Sequence, residues 1–224
     1  METQTKTAII LGATGLTGGI LLQLLLEDDR YGKIKLFSRS SVGLSHKKIE
    51  EHLGDLMHLE QFKEDFKGDE LFCCIGTTKS KTPNKEMYKN IDYGIPVTAA
   101  KLCTQNGIST YLVVSAMGAS AKSTVFYNKV KGEMEDAVLN EKIKNTYIFR
   151  PSLIGGKREE KRTGELLFKQ VMKVVNLVLV GPLAKYRSIE PDAIAKAMLK
   201  VANTGYEVNK IESDQINKIA DLSD

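Results

Sequence analysis

The stretch AIILGATGLTGG, Ala8 to Gly19, decides the fold. Its first four residues are aliphatic, and the glycine that ends the run marks Ala8 to Leu11 as a short strand buried on both faces. Beyond the turn, Gly15 to Glu27 carries leucines at helical spacing, so the two halves form one strand-turn-helix unit. Glycines stand at positions 12, 15 and 18, a G-x-x-G-x-x-G spacing. Glycine lets the backbone turn tightly and approach a ligand closely. The unpaired amides at the start of the helix, with its dipole, attract phosphate. The turn therefore reads as a cradle for a pyrophosphate.

Working outward, the same alternation recurs. Ile34 to Phe37, Lys48 to Leu53 and Glu70 to Ile75 read as strands, with a short helix near Leu56 to Phe66. A polar connection, GTTKSKTPN, leads into a helix over Lys85 to Gln105 that Gly94 and Pro96 interrupt and Asn106-Gly107 ends. Thr110 to Ser115 is a buried strand, Thr124 to Asn140 a helix and Thr146 to Phe149 a further strand. Strands alternating with helices predict an α/β fold, a doubly wound parallel sheet with right-handed crossovers. Beyond Arg150-Pro151 the pattern loosens into a charged loop, a helix near 163–179, a Gly181-Pro182 break and a helix near 191–201. One domain over 1–224 is expected, with its core to about residue 156 and a small C-terminal substrate lobe over about 157–224.

The composition, 42% hydrophobic and 27% charged, is that of an ordinary globular protein. Lys and Arg number 32 against 28 Asp and Glu, a formal charge of +4. The basic residues are mixed with acidic ones, as in KREEKR (Lys157 to Arg162), and this speaks against a nucleic-acid partner. Cys73, Cys74 and Cys103 show neither disulfide nor metal spacing and are expected to be reduced and buried, with the adjacent pair as inert packing. His46, His52 and His58 lack a two-histidine metal pattern, so no metal site is predicted, and all three are expected to face solvent. No cleavable apolar segment opens the sequence. The apolar run Val171 to Val180 is interrupted by Lys173 and Asn176 and is too short to span a bilayer. No membrane partner and a cytoplasmic location are expected. The apolar stretch Leu166 to Leu179 is expected to roof the substrate pocket or pack on the sheet.

The end of the second strand bears on which dinucleotide is bound. An acidic residue there would accept from a ribose 2′-hydroxyl, whereas arginine pairs with a 2′-phosphate. The sequence reads Leu36-Phe37-Ser38-Arg39-Ser40-Ser41, with no carboxylate, so Arg39 and its flanking serines offer a charge-assisted donor set. NADP(H) is favoured over NAD(H). Asp55, in Gly54-Asp55-Leu56, is placed either to meet the adenine amino group or to cap the following helix, and the two roles are compatible. Leu56 is counted with it on the cofactor side.

Tyr127 and Lys131 stand four residues apart on a predicted helix and so share a face. An adjacent ammonium favours tyrosinate and lowers the phenol pKa, which suits general acid-base chemistry on a carbonyl or alcohol. Ser115, at the end of the preceding strand, could donate to the same substrate oxygen. Lys129 lies on another face. A Tyr–Lys pair alone is a weak signal, and its position after a glycine turn and a strand ending in serine is what makes a set of Ser115, Tyr127 and Lys131.

The ordered motifs GATGLTGG, LFSRS, GDL, CIGTT, VVSAMGAS, YNKVKGEME and FRPSLIGG resemble the atypical short-chain dehydrogenase/reductases, and among them the subfamily related to the human Tat-interacting protein. The resemblance runs from about Lys6 to Gly156 and, more weakly, through Tyr186 to Ile189. It implies a Rossmann fold in which Thr14, Leu16 and Thr17 line the pyrophosphate with Gly12, Gly15 and Gly18. Arg39 would meet the adenosine phosphate, and Ile75, Gly76 and Thr77 would pass the adenosine ribose. Lys131 would also hold the nicotinamide ribose, with Pro151, Leu153 and Ile154 bordering the nicotinamide. Many members supply an asparagine from the helix before the serine strand. Asn90 and Asp92 lie there, neither matches clearly, and that position is unassigned. The expectation is an NADP(H)-dependent oxidoreductase acting on a small molecule, as a monomer or homodimer. Nucleotide-sugar epimerisation or dehydration is a weaker reading, given the short chain after Arg150, and a non-enzymatic NADPH-binding regulator is a third.

Overall fold

The aliphatic run forms β1 (Lys6–Leu11), and from Ala8 onward its side chains are fully enclosed. The structure, a computed structural model, describes residues 5–155 and 187–222. Ala8 and Ile10 point into one apolar cluster and Ile9 and Leu11 into another, as the twofold period of a strand covered on both faces demands. Around β1 the other strands are β2 (Tyr31–Ser38), β3 (Ile49–Leu53), β4 (Glu70–Cys73), β5 (Thr110–Val114), β6 (Asn145–Arg150) and β7 (Lys210–Glu212). They form a wholly parallel sheet in the order β3-β2-β1-β4-β5-β6-β7. This is the doubly wound architecture expected. The chain leaves β1 toward β3 and then returns to the other side at β4, so a crevice opens at the carboxyl ends of β1 and β4.

One face of the sheet is covered by α1 (Leu16–Glu27) and the helix Pro191–Thr204, through Leu21, Leu25, Ile194 and Met198. The other is covered by α3 (Ile95–Asn106) and α4 (Phe126–Asn140), through Val97, Ala100, Met134 and Val138. The single interrupted helix expected before β5 is three pieces: α2 (Lys85–Lys89), one π-helical turn (Asn90–Gly94) and α3. Pro96 at the start of α3 has no amide to bond back, which is why the regular ladder breaks there. The π-turn rotates Asp92 inward until it is fully buried. The short helix before β4 is a 3-10 helix, Leu56–Phe62.

Part of the region expected as a lobe beside the sheet is built into it. β7 pairs with β6, and the helix Ser213–Asp221 follows it behind a capping box of Glu212 and Gln215. The helix expected near 163–179, and with it the stretch Leu166 to Leu179, lie outside the described residues. On either side of that interval the chain is stitched together. Ile154 and Ile189 form a parallel bridge, Gly155 N–H donates to Ile189 O at 2.8 Å and Ile189 N–H to Leu153 O at 3.0 Å.

At the opposite end of the sheet Glu70 is buried and shared. Tyr31 Oη and Lys6 Nζ each donate to it at 2.6 Å, and Asn203 donates to Tyr31 Oη at 2.9 Å. His52 departs from its expected place in solvent. It pairs with Phe37 in the β2-β3 register and stacks on that ring at 4.5 Å, while its Nε2 sits 2.9 Å from Glu50 Oε1. Only His46 and His58 are exposed.

Candidate active site

The glycines of the first turn are dictated by contact. Gly12 has φ +91°, and a Cβ there would lie 3.0 Å from the Cys74 carbonyl. A Cβ on Gly18 would lie 2.2 Å from Gly12 O, closer than real atoms approach. Gly15 N–H donates to Gly12 O at 2.9 Å, and Gly19 N–H to Gly15 O at 2.8 Å makes the first helical bond. Between them the amides of Leu16, Thr17 and Gly18 start α1 with no side-chain cap and no acidic residue in the first turn. Such a helix end favours a bound anion.

Facing it is a cavity of about 660 Å³, within the usual range for small-molecule sites. Of the expected cofactor residues, Thr14, Gly15, Leu16, Thr17, Ile75, Gly76, Thr77, Pro151, Leu153 and Ile154 line it, with Ser115, Tyr127 and Lys131. Gly12 and Gly18 shape the turn beneath. Arg39, Asp55 and Leu56 stand outside its wall. Leu56 is buried in the core, and Asp55 caps the 3-10 helix by accepting from Met57 N–H at 3.0 Å. Arg39 is exposed just beyond β2, beside the glycine turn because Phe37 pairs with Leu11, and no partner among the described residues engages its side chain. The flanking serines differ from expectation. Ser38 Oγ donates to Ser40 O and Ser41 Oγ to Glu51, each at 2.7 Å, so those two hydroxyl protons are already engaged.

Tyr127 and Lys131 meet the cavity from one face of α4. Tyr127 is 39% exposed, and its ring stands edge-on to Tyr88 at 6.1 Å. Lys131 is 3% exposed. Its Nζ lies 3.0 Å from Asp92 Oδ1 and donates to Val114 O at 3.3 Å. Asp92 Oδ2 in turn accepts from Thr77 N–H at 2.9 Å. The contact to Oδ1 is an ion pair without hydrogen-bond alignment. Burial opposes the charge of Lys131, yet Asp92 and Tyr127 outweigh it and hold the ammonium above its ordinary pKa. The expected depression of Tyr127 does not occur. Burial raises the phenol, Lys131 lowers it and Asp92 raises it again, and the balance lies above the ordinary tyrosine value.

Ser115 lines the cavity, but its hydroxyl donates inward to Glu135 Oε1 at 2.6 Å. A hydroxyl has one proton, so in this geometry Ser115 does not offer it to a substrate oxygen as expected. Glu135 is fully buried on the face of α4 that carries Tyr127 and Lys131, one turn further on. Arg150 grips it with Nε at 2.9 Å and a terminal nitrogen at 2.5 Å, and Lys210 Nζ lies 3.2 Å away. Arg150 also donates to Glu212 at 3.0 Å. The bond to Glu135 drives the guanidinium pKa further up, against burial. Cys73 and Cys103 are buried, Cys74 borders the cavity, and burial pushes all three thiols up.

A parallel sheet whose order reverses at a glycine turn with bare helix amides defines a dinucleotide-binding domain of the Rossmann type, and its fold is that of NAD(P)-binding oxidoreductases. The family described as NAD(P)H-binding matches residues 12–204. Protein FMP52, mitochondrial, of Meyerozyma guilliermondii is 32% identical over 95% of this chain and 94% of its own length. Protein HTATIP2 of Rattus norvegicus is 30% identical over 75% of this chain and 70% of its own. Among solved structures, MoeE5 in complex with UDP-glucose and NAD superposes with a TM-score of 0.66 at 13% identity, over 94% of this chain and 79% of its own, a likeness of fold. The chain belongs to the NAD(P)H-binding family and, with HTATIP2 and FMP52, to the atypical short-chain dehydrogenase/reductases. The cytoplasmic location expected from the sequence is overturned, because the FMP52 relatives carry the designation mitochondrial.

Proposed function

We propose that the protein is an NADP(H)-dependent oxidoreductase that transfers hydride between the dinucleotide and a small carbonyl or hydroxyl compound. The observation that carries this reading is the placement of Tyr127 and Lys131 in the same cavity as the bare amides of α1. The donors present suit the cofactor. The amides of Leu16, Thr17 and Gly18, with the Thr14 and Thr17 hydroxyls, would hold the pyrophosphate. Exposed Arg39 would pair with a 2′-phosphate, and this supports NADP(H) over NAD(H). An ammonium has three N–H donors; Val114 O takes one, and Asp92 pairs with the charge without hydrogen-bond alignment, so Lys131 keeps donors for a ribose hydroxyl. Gly76 lies close to that ammonium and presents no side chain to block it. Pro151, Leu153 and Ile154 would form the apolar wall that keeps water from the reacting centre.

When bound, the dinucleotide supplies or takes the hydride. Tyr127 exchanges a proton with the substrate oxygen, supported by Lys131. The first experiment is a fluorescence titration of the protein with NADPH and NADH. Tight binding of NADPH and weaker binding of NADH are expected, and binding of neither overturns the proposal. Tyr127→Phe should then abolish turnover while leaving NADPH affinity within about twofold, since one hydroxyl leaves and the binding groups stay. The second reading, an NADPH-binding regulator without turnover, is favoured by the engaged proton of Ser115. NADPH binding without turnover of a broad carbonyl panel would decide for it.

A further inference from the structure

Among the described residues lining the cavity, Asp92 is the one carboxylate. It is held from two sides, by the Thr77 amide at 2.9 Å and the Lys131 ammonium at 3.0 Å, and it is fully buried. A carboxylate and an ammonium this deep keep their charges because each has the other. The pair therefore presents no net charge to Tyr127, one helical turn from Lys131. The other titratable groups nearby leave that balance intact. Tyr88 from α2 and Cys73 from β4 are held neutral by burial. Lys89 and Glu133 pair with each other at 3.0 Å, Lys85 lies over the Phe126 ring, and Lys81 is on the exposed side of the cavity.

The geometry points to Asp92 as a positioning residue of the centre: by pairing with Lys131 it cancels the cation beside Tyr127, keeps the phenol protonated and sets the site to give a proton to a carbonyl. This rests on the oxidoreductase reading. In that direction the carbonyl carbon accepts hydride, with its two electrons, from the reduced nicotinamide dinucleotide, and the C=O π pair moves onto oxygen. The Tyr127 O–H bond breaks as the product O–H forms. The products are an alcohol, the oxidised dinucleotide and a tyrosinate that regains its proton from water.

The test follows the ultraviolet absorbance of tyrosinate as pH rises, each protein measured against the same protein carrying Tyr127→Phe, so that the difference belongs to Tyr127. Asp92→Asn should move that titration to lower pH, raising the tyrosinate fraction at a fixed pH by ~10-fold or more, the size usual for a nearby buried charge. Asp92→Glu should restore it. An Asp92 that only pins the Thr77 loop to α4 would leave the titration unmoved, and that result overturns the inference. Asp92→Asn strands a buried cation and can fail to fold. The double variant Asp92→Asn/Lys131→Gln carries no lone buried charge and serves in that case. If the two charges cancel at Tyr127, its titration stays within about twofold of the unsubstituted protein. A titration displaced to clearly higher pH means that only Lys131 is felt, and the inference falls. NADPH binding by the unsubstituted protein is measured alongside: its absence sinks the oxidoreductase reading and leaves the titration result as it stands.

Discussion

Ser115 Oγ donates to Glu135 Oε1 across 2.6 Å, and that bond ties the strand end at the cavity to a carboxylate shared by α4, β6 and β7 through Arg150 and Lys210. The hydroxyl is therefore part of the interior scaffold as well as of the cavity wall. Ser115→Ala should cost about 1–2 kcal/mol of stability, and its turnover should fall less than that of Tyr127→Phe. Glu135→Ala should cost more, about 2–3 kcal/mol, because it removes the buried carboxylate that Ser115, Arg150 and Lys210 share, while Arg150 keeps Glu212. Urea denaturation of both variants checks the order. Abolished turnover in Ser115→Ala at unchanged stability would restore the serine as a substrate donor.

Gly18→Ala places a methyl 2.2 Å from Gly12 O, and the clash is with backbone that cannot swing aside. The turn must open. A stability loss of about 1–3 kcal/mol is expected, with NADPH affinity reduced at least ~10-fold. Fluorescence titration and thermal melting together would show it, and Gly94→Ala makes a useful contrast, since its backbone is helical and no atom lies within 4 Å of that added Cβ.

Arg39→Ala removes an exposed cation that no described residue engages, so folding should be indifferent to it. Affinity for NADPH should drop by roughly 10- to 100-fold, the worth of a charge-assisted hydrogen bond, with NADH affinity unchanged. Equal losses for both dinucleotides would show that Arg39 does not read the 2′-phosphate.

Tyr31 gives the alkaline behaviour a definite sign. Burial, and then Glu70, push its phenol pKa up in the folded chain. Its contribution is complete below the unfolded value of about 10 and is lost as pH rises from there through the folded value. Tyr31→Phe should be less stable at pH 8, having lost a buried bond to Glu70, yet its stability should decline less steeply above pH 10, by up to about 1.4 kcal/mol per pH unit. Urea midpoints at a series of alkaline pH values would report it, and parallel slopes would refute it.

The glycine turn and its flanking strand are legible in the sequence because their constraints are local: aliphatic residues with no gap, then glycines where no Cβ fits. The break near Gly94 and Pro96 is legible for the same reason. β7 is not. Lys210-Ile211-Glu212 has one apolar residue, and what makes it a strand is the free edge of β6, a partner distant in sequence. Asp92 has no role legible in the sequence, because a carboxylate on a helix declares nothing until the fold sets an ammonium against it. Glu135 carried a usable signal, since 127, 131 and 135 continue in steps of four along one helical face. What such spacing could not convey is that Ser115 would turn its hydroxyl toward that face, or that Asp92 would offset the lysine and leave the phenol above its ordinary pKa. His52 likewise became a stacked ring only through its register against Phe37.

The bridge between Ile154 and Ile189 brings residues 153–155 and 187–189 side by side, with Leu153 and Ile154 on the cavity wall. Two segments more than thirty residues apart in sequence thus meet at one point on the rim. The clasp couples the two flanks: a change that breaks the Gly155–Ile189 or Ile189–Leu153 bond loosens the stretch that sets Leu153 and Ile154 against the cavity. One side of the cavity wall is therefore held by two segments distant in sequence, and its shape depends on both.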